Sequence, residues 1–203
     1  MITIVDYGMG NLRSVQKAFE KNGARARITS DPEEILKAEK VVLPGVGAFD
    51  CAMRELRKRR LVGPLKKKIQ SGAPYLGLCL GLQLLFTDSE ERTGRKNAHG
   101  LGIIPGTVKR FRGSLKIPHM GWNTVQFKKK DCPLFKGLKD KSYFYFVHSY
   151  YAVPKDRSWA LAQTPYGVKF CSAVWKGNIF ATQFHPEKSQ ALGLRVIKNF
   201  IRL

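Results

Sequence analysis

The apolar positions in the first half of the chain form short continuous runs that alternate with runs of helical spacing. Ile2–Val5 and residues 41–43 are short β-branched runs of the kind that forms buried strands. Between residues 11 and 22 the apolar side chains recur every three or four positions, which predicts a helix, and Gly23 is placed to end it. Strands that alternate with helices predict a parallel sheet with helices on both faces.

Two local signals predict where helices begin and break. Asp31 can accept a hydrogen bond from a first helical turn, and Pro32 suits the first helical position. A long basic helical region follows Gly45, and Gly63-Pro64 predicts a break within it.

The second half of the chain changes character, with short alternating runs rich in Val, Phe, Tyr and Gly that predict mostly antiparallel strands. The predicted strands are 108–111, 123–127, 143–148, 159–164 and 173–175. A final helix is predicted over residues 192–201. The predicted fold class is therefore α/β: a three-layer fold with a mostly parallel central sheet, helices on both faces and an added antiparallel β portion in the C-terminal half. We expect residues 1–203 to form a single domain.

Composition is that of an ordinary globular chain, with 203 residues, 43% hydrophobic and 25% charged. No apolar run approaches the roughly 20 residues that cross a membrane. The chain begins on a strand pattern without a basic leader, so we expect a cytoplasmic protein with no membrane partner. The four cysteines are Cys51, Cys79, Cys132 and Cys171. None forms a Cys-x-x-Cys pair, so we expect no metal, no cofactor and no disulfide framework.

Charge is the unusual feature, since 36 Lys and Arg against 15 Asp and Glu give a net charge of +21. The basic residues concentrate in 54–68 and 128–130. Such charge attracts polyanions, so a nucleic-acid-binding module is one alternative, and an acidic protein partner is another. The basic runs lack interleaved aromatic residues for base stacking, so a solvated basic surface and no specific nucleic acid is the preferred interpretation.

Cys79 is the most informative residue, because Gly77 and Gly81 flank it at two positions on either side. An apolar strand-like run precedes it and a helix-like run, residues 82–86, follows. Strand, tight turn and helix with a nucleophile at the apex form the nucleophile elbow of hydrolases. The glycines leave room for the strained turn, and a helix N-terminus favours thiolate over thiol. A buried cysteine at a strand end is the plain alternative.

A second motif near the end of the chain supplies what a cysteine nucleophile needs. The apolar run 179–184 is followed by His185-Pro186-Glu187, and on an extended segment two residues apart the side chains of His185 and Glu187 would share one face. A cysteine requires a base, and the base requires a group that orients it. Pro44-Gly45, Cys79 and His185 all fall at predicted strand ends, where open α/β sheets place their sites. The sequence therefore predicts Cys79, His185 and Glu187 as a catalytic triad.

With both motifs in view, the chain resembles the triad-type (class I) glutamine amidotransferases over essentially its whole length. Within that family it is most similar to the glutaminase subunits of imidazole glycerol phosphate synthase. The blocks that carry the resemblance are 6–11, 44–49, 77–83, 118–123, 145–150 and 185–189. The resemblance implies the class I glutamine amidotransferase fold and hydrolysis of the side-chain amide of L-glutamine through a cysteine thioester.

The resemblance also implies a partner. Ammonia would pass to a (β/α)8-barrel cyclase subunit in a heterodimer. That subunit would convert the phosphorylated ribulosyl aminoimidazole-carboxamide nucleotide PRFAR to imidazole glycerol phosphate and AICAR in histidine biosynthesis. The implied docking face comprises Asn11, His119, Met120, Trp122, Tyr145 and Lys188.

Further site residues follow from chemistry and resemblance together. The N–H of Leu80, directly after the nucleophile, is the first expected oxyanion donor. The second comes from the loop with Val46 and Gly47 once a peptide near Val46 reorients, and Asn11 would hold the resting form of that loop. The residues expected to bind substrate are Gly45, Gln83, Ser149 and Tyr150. Gln83 lies one helical turn after Cys79, which places it on the same side.

Two further alternatives to this assignment remain open from the sequence. Glutaminase partners of pyridoxal phosphate synthase, anthranilate synthase and aminodeoxychorismate synthase share the triad, although residues 118–123 favour the imidazole glycerol phosphate synthase subunit. An inactive regulatory relative conflicts with the presence of all three triad residues. His148 is interpreted as a hydrogen-bonded structural histidine rather than a catalytic one.

Overall fold

The computed structural model describes residues 1–92 and 98–203. The helices are α1 (Leu12–Lys21), α2 (Pro32–Lys37), α3 (Phe49–Lys58), α4 (Val62–Gln70), α5 (Leu80–Gln83) and α6 (Gln190–Ile201). The strands are β1 (Ile2–Val5), β2 (Ala26–Thr29), β3 (Lys40–Gly45), β4 (Tyr75–Cys79), β5 (Phe86–Ser89), β6 (Ala98–His99), β7 (Ile104–Arg110), β8 (His119–Phe127), β9 (Ser142–His148), β10 (Tyr150–Pro154), β11 (Ala160–Tyr166), β12 (Val168–Lys176) and β13 (Ile179–Thr182).

The strands form one large sheet whose central part is parallel. Its order begins β2-β1-β3-β4-β13, and every neighbouring pair in that part is parallel. From β13 the sheet continues through antiparallel β12, β10 and β7, while β11, β8 and β9 branch from β12 with antiparallel pairing. The predicted α/β class is confirmed.

Helices cover both faces of the parallel strands, which gives three layers. Side chains alternate along each strand. Val42 of β3 packs in one cluster with α1 and α6, whereas Val41 and Leu43 pack in the other with α2, α3 and α4. On the first face, Phe19 of α1 meets Phe200 of α6 edge-on, with ring centroids 6.2 Å apart. No helix in the described ranges is long and apolar enough to cross a membrane.

The helix boundaries agree with the sequence signals at α2 but not at α4. The Asp31 carboxylate accepts a hydrogen bond from the Glu33 N–H at 2.8 Å, and Pro32 is the first helical residue. The predicted break at Gly63-Pro64 is wrong in position: the chain breaks between Lys58 and Val62, where Arg60 has a φ of +58°. Pro64 lies in the first turn of α4, where no intrahelical carbonyl requires its missing N–H.

Tertiary hydrogen bonds change two other predicted elements. The helix expected to reach Phe86 ends at Gln83, because Phe86 pairs with Ile104 of β7, and the Leu84 and Leu85 carbonyls accept from Leu101 (2.8 Å) and Ile104 (2.9 Å). Phe86 instead begins β5. The predicted strands of the second half are present with shifted ends, and β10 is a strand that the sequence pattern did not predict.

Candidate active site

Cys79 ends β4 in a backbone conformation that residues with side chains rarely adopt, with φ +54° and ψ −104°. Its neighbours on the two sides are Gly45 of β3, paired with Cys79, and Thr182 of β13, paired with Leu78. The carboxyl ends of three parallel strands therefore converge on the sulfur, as expected for an open α/β sheet.

Space, rather than flexibility alone, requires the glycines of this elbow. A Cβ added to Gly81 would lie 1.8 Å from the Leu43 carbonyl oxygen, and one added to Gly77 would lie 2.6 Å from the Gly81 carbonyl oxygen. Both separations are shorter than real Cβ contacts allow. Strand β3 approaches α5 too closely for a side chain at Gly81, and α5 approaches β4 too closely for one at Gly77.

His185 and Glu187 form a buried ion pair after β13. His185 Nδ1 lies 2.8 Å from Glu187 Oε1, and both side chains are almost fully buried. The two residues are not on an extended segment, as their spacing suggested. A 3-10 turn, Pro186–Lys188, brings them together. The His185 N–H donates to the Tyr145 carbonyl (2.9 Å), and the Ser189 hydroxyl donates to the His185 carbonyl (2.6 Å).

The electrostatics of His185 favour its cation. Burial opposes the charge, but the Cys79 sulfur and the Glu187 carboxylate outweigh burial and raise the pKa of His185 to about 10. Nδ1 is occupied by Glu187, and Nε2 has no hydrogen-bond partner of good geometry within the described residues. Nε2 is therefore the ring nitrogen left to act on the sulfur.

The sulfur of Cys79 is nearly enclosed, with 6% of the residue exposed. Its contacts are the Gln183 Nε2 at 3.6 Å and the Val147 carbonyl oxygen at 3.9 Å. Gln183 was not singled out from the sequence. The available signal was an uncharged polar residue inside the apolar run 179–184.

Gln83 lies beside Gln183 and is already hydrogen-bonded. Its Nε2 donates to the Tyr150 carbonyl (2.9 Å) and to Gln183 Oε1 (3.1 Å). Both amide protons are therefore used, which leaves Oε1 as the group that Gln83 can offer a ligand. Ser149 lies between β9 and β10, half-buried, and its carbonyl accepts from the Phe111 N–H (3.0 Å).

The glycine loop after β3 lies beside the elbow. A Cβ on Gly45 would lie 2.2 Å from Tyr7 Oη, so this position also excludes a side chain. Val46 is exposed, and Gly47 has a φ of +96°. Leu80 is the first residue of α5, so its N–H has no carbonyl within the helix to which it can donate.

Asn11 is exposed and caps α1 by accepting from the Ser14 N–H at 3.4 Å. The residue that packs against the glycine loop is its neighbour Gly10, whose added Cβ would lie 3.8 Å from Gly45 Cα. Asn11 therefore adjoins the residue that packs against the loop, while its own side chain is bonded to α1.

Strands β8 and β9 present an exposed aromatic face near the triad. Met120 is 67% exposed and Trp122 47% exposed. Trp122 pairs with Tyr145 across the strands, with ring centroids 6.2 Å apart, and Lys188 Nζ lies 6.0 Å from the Tyr145 ring. We call these four residues, Met120, Trp122, Tyr145 and Lys188, the aromatic face.

His119 differs from its predicted place on a docking surface. Side chains alternate along β8, so His119 points inward while Met120 points outward. His119 is buried, with Nδ1 2.9 Å from His148 Nε2 and Nε2 3.2 Å from Asn123 Nδ2. Burial lowers the pKa of His119 to about 4 and that of His148 to about 3. His148 Nδ1 lies 2.8 Å from the Tyr150 carbonyl, as a structural histidine would.

The basic residues of α3 lie at the surface, because Ala52, Met53 and Leu56 bury the opposite side of the helix. Arg54 and Arg57 are exposed. No group of three His, Cys, Asp or Glu side chains in the part of the chain that the structure describes could hold a metal ion.

Comparison with known proteins agrees with this geometry. Residues 3–203 match the family described as Glutamine amidotransferase class-I. Imidazole glycerol phosphate synthase subunit HisH of Syntrophotalea carbinolica is 55% identical over 207 residues, with 98% of each chain covered. The protein of the same name from Methanocaldococcus jannaschii is 51% identical over 207 residues, with 100% of each chain covered.

Solved structures share the fold at lower identity. A crystal structure of a glutamine amidotransferase has a TM-score of 0.76 at 18% identity, covering 100% of this chain and 98% of that one. A structure of PurLQS from Thermotoga maritima has a TM-score of 0.70 at 18% identity, covering 99% and 97%. From the family match and the full-length relatives, the chain belongs to the class I glutamine amidotransferase family of enzymes.

Proposed function

We propose that this protein is the glutaminase subunit of an imidazole glycerol phosphate synthase. It hydrolyses the side-chain amide of L-glutamine and passes the ammonia to a cyclase subunit. One observation carries the proposal: a cysteine on a strained, glycine-flanked elbow beside a histidine whose other nitrogen is bonded to a buried glutamate. The full-length relatives that bear this subunit's name support the choice of acceptor.

The reaction follows from the roles of these three side chains. The Cys79 sulfur attacks the amide carbon and forms the C–S bond. His185 Nε2 holds the proton taken from the Cys79 sulfur and gives it to the leaving nitrogen as the C–N bond breaks, so ammonia departs and a glutamyl thioester remains. Water then attacks the thioester with neutral His185 as base, which releases glutamate and restores the Cys79 thiolate beside the protonated His185. Glu187 keeps the proton on Nδ1 and stabilises the imidazolium.

The oxyanion of each tetrahedral intermediate needs N–H donors. The Leu80 N–H is the first, because it belongs to the residue after the nucleophile at the start of α5. The second comes from the loop of Val46 and Gly47 once a peptide there reorients. Gly47 already has a positive φ, which glycine adopts readily. Because Cys79 is nearly enclosed, the loop has to move before glutamine can reach the sulfur.

The remaining site residues bind glutamine. Oε1 of Gln83 accepts from the substrate, since both of its amide protons are committed elsewhere. Ser149 and Tyr150, where β9 passes to β10, bind the backbone groups of glutamine, and Gly45 permits its close approach.

A partner subunit takes the ammonia, because free ammonia is largely protonated at neutral pH and then is no nucleophile. We propose a (β/α)8-barrel cyclase that converts PRFAR to imidazole glycerol phosphate and AICAR and forms a heterodimer with this chain. Met120 and Trp122 supply the exposed apolar anchors typical of an interface. Lys188, next to the triad glutamate, pairs with a carboxylate of the cyclase.

Glutamate release from glutamine tests the proposal, with and without a cyclase subunit and its nucleotide PRFAR. The variants are Cys79→Ala and, as the matched control, Cys51→Ala, which removes a cysteine outside the site. We expect strong stimulation by the loaded cyclase for wild type and Cys51→Ala, and none for Cys79→Ala. No glutamate release in any combination would refute the proposal. Salt-sensitive RNA binding that survives Cys79→Ala would then favour the polyanion alternative.

A further inference from the structure

Gln183 is a polar side chain at the end of β13 with no exposure to solvent. Its backbone N–H donates to the Ser172 carbonyl at 2.9 Å, which fixes the residue beside the elbow. Its side-chain amide lies between two groups of the site, with Nε2 3.6 Å from Cys79 Sγ and Oε1 3.1 Å from Gln83 Nε2. Burying an amide is costly unless it is hydrogen-bonded, so this placement is specific.

The direction of these hydrogen bonds is determined by the Tyr150 carbonyl. A carbonyl oxygen only accepts, so the Gln83 group that faces it at 2.9 Å must be the NH₂. The same NH₂ faces Gln183, and the Gln183 atom that it meets must therefore be Oε1. The other end of the Gln183 amide, which faces the sulfur, is then the donor. The network thus resolves the usual ambiguity of an amide orientation.

A donor at this position favours the thiolate form of Cys79. Water has little access to the sulfur, so an anion there depends on protein donors. The Val147 carbonyl at 3.9 Å can accept from the thiol but repels the thiolate. Helix α5 has only four residues, so its dipole contributes less than the sequence suggested. Gln183 Nε2 is the uncharged donor that offsets these effects.

The titratable groups that act on the sulfur are His185, backed by Glu187, and Tyr7. His185 supplies the charge that attracts the thiolate. Tyr7 remains protonated, because burial and the nearby Cys79 raise its pKa well above the ordinary value. Gln183 adds a neutral, direction-specific donor that neither titratable group replaces.

We infer that Gln183 is a positioning residue for the proposed reaction: its amide holds the Cys79 sulfur as a thiolate, and Gln83 and the Tyr150 carbonyl fix the direction of that amide. The expected effect on glutamate release rests on the proposed function, whereas the ionisation state of the Cys79 sulfur does not. The two can therefore be tested separately.

The first test is the pH dependence of Cys79 alkylation by iodoacetamide in the full-length protein. A Cys51→Ser background removes the more accessible thiol, and burial raises the pKa of Cys132 and of Cys171 to about 12. The variants are Gln183→Glu, which replaces the donor by an acceptor, and Gln183→Met, which removes both groups at similar size. Gln16→Glu is the matched control, since it removes a donor to the Ala26 carbonyl (2.9 Å) away from the site.

We expect the alkylation midpoint to rise by about one pH unit or more in both Gln183 variants and to stay unchanged in Gln16→Glu. At a pH below the midpoint, a rise of one pH unit in the midpoint makes alkylation of Cys79 about tenfold slower. Ultraviolet thiolate absorbance, taken as the difference from a Cys79→Ser counterpart, checks that the change is in ionisation and not in access. Unchanged midpoints would overturn the inference, and so would failure of both variants to fold, which would make Gln183 a purely structural residue.

The second test is steady-state glutamate release with the cyclase partner. We expect kcat to fall about tenfold or more while KM for glutamine changes less than about twofold, because the Gln183 amide faces the sulfur and Gln83 is still held by the Tyr150 carbonyl. A raised KM with an unchanged alkylation midpoint would instead assign Gln183 to substrate binding and overturn the inference. If wild type alkylates normally but never releases glutamate, the proposed function fails and the assignment for the sulfur stands.

Discussion

His185 Nδ1 lies 2.8 Å from Glu187 Oε1 inside a 3-10 turn, with both side chains almost fully buried. This pair fixes the proton on Nδ1 and directs Nε2 toward Cys79. It also makes the charge of the site sensitive to one carboxylate, since Glu187 and the Cys79 sulfur together keep the pKa of His185 near 10 despite its burial.

Replacing Glu187 by Gln is expected to lower the pKa of His185 and to reduce partner-stimulated glutamate release on the order of 100-fold. Loss of the carboxylate leaves the imidazolium less stabilised and its tautomer less defined. Steady-state kinetics with the cyclase partner measure this, and equal activity of the variant and wild type would contradict a triad role for Glu187.

The Glu187→Gln variant is also expected to change how the free energy of unfolding depends on pH. The pKa of His185 is about 10 in the folded protein against 6.5 ordinarily, so its stabilising contribution is complete below 6.5 and is lost as pH rises through 10. The difference in unfolding free energy between wild type and Glu187→Gln should therefore be largest near neutral or lower pH and shrink toward alkaline pH. Urea unfolding across that range measures it, and a difference that grows with pH would show the opposite sign.

Gly81→Ala is expected to prevent folding or to cost more than about 3 kcal/mol, because its Cβ would lie 1.8 Å from the Leu43 carbonyl oxygen. Gly63→Ala is the matched control. Gly63 lies in α4, and its added Cβ meets nothing within 4 Å among the described residues, so it should be neutral or stabilising by up to about 1 kcal/mol. Thermal unfolding of both variants decides this, and a stable Gly81→Ala protein would mean that β3 and α5 are less closely packed.

Tyr7→Phe is expected to leave stability unchanged or to raise it by about 1 kcal/mol. The Tyr7 hydroxyl is buried and has no hydrogen-bond partner in the described ranges, so removing it leaves no group unpaired. The ring remains in the core cluster that it shares with Leu43 and Leu80. Denaturant unfolding tests this, and a loss of more than about 1 kcal/mol would indicate that the hydroxyl is hydrogen-bonded to water.

Trp122→Ala is expected to weaken binding of the cyclase by about tenfold or more while changing the stability of the isolated chain little. Its side chain is half exposed on the aromatic face, where a central anchor contributes at least 1 to 2 kcal/mol of binding free energy. Val168→Ala, at a residue 45% exposed and outside that face, is the control. Titration calorimetry with the cyclase measures both, and equal affinities would place the docking surface elsewhere.

Local sequence signals predicted the structure correctly where residues close together in sequence determine it. The Asp31 cap needs only the N–H two residues later, and the elbow of Cys79 needs only glycines at fixed spacing. The break before α4 and the early end of α5 were placed wrongly. The segment directly after α5 is held by residues further along the chain, because the N–H groups of Leu101 and Ile104 donate to the Leu84 and Leu85 carbonyls.

The same distinction applies to the candidate site. His185 and Glu187 could be paired from their spacing, although a 3-10 turn and not an extended segment brings them together. Gln183 gave only a weak signal, because its importance comes from residues 100 or more positions away, Gln83 and Cys79. His119 was assigned to the surface by motif, whereas the register of β8 turns it inward.

The proposed function requires Cys79 to form a covalent intermediate with glutamine when a cyclase is bound. Acid quenching during turnover, followed by mass spectrometry of the intact chain and of its peptides, tests this most directly. We predict a glutamyl adduct on Cys79 in the complex with PRFAR, more abundant than in the isolated chain and absent from Cys79→Ala. Rapid glutamate release without any adduct on Cys79, or release that persists in Cys79→Ala, would contradict the account.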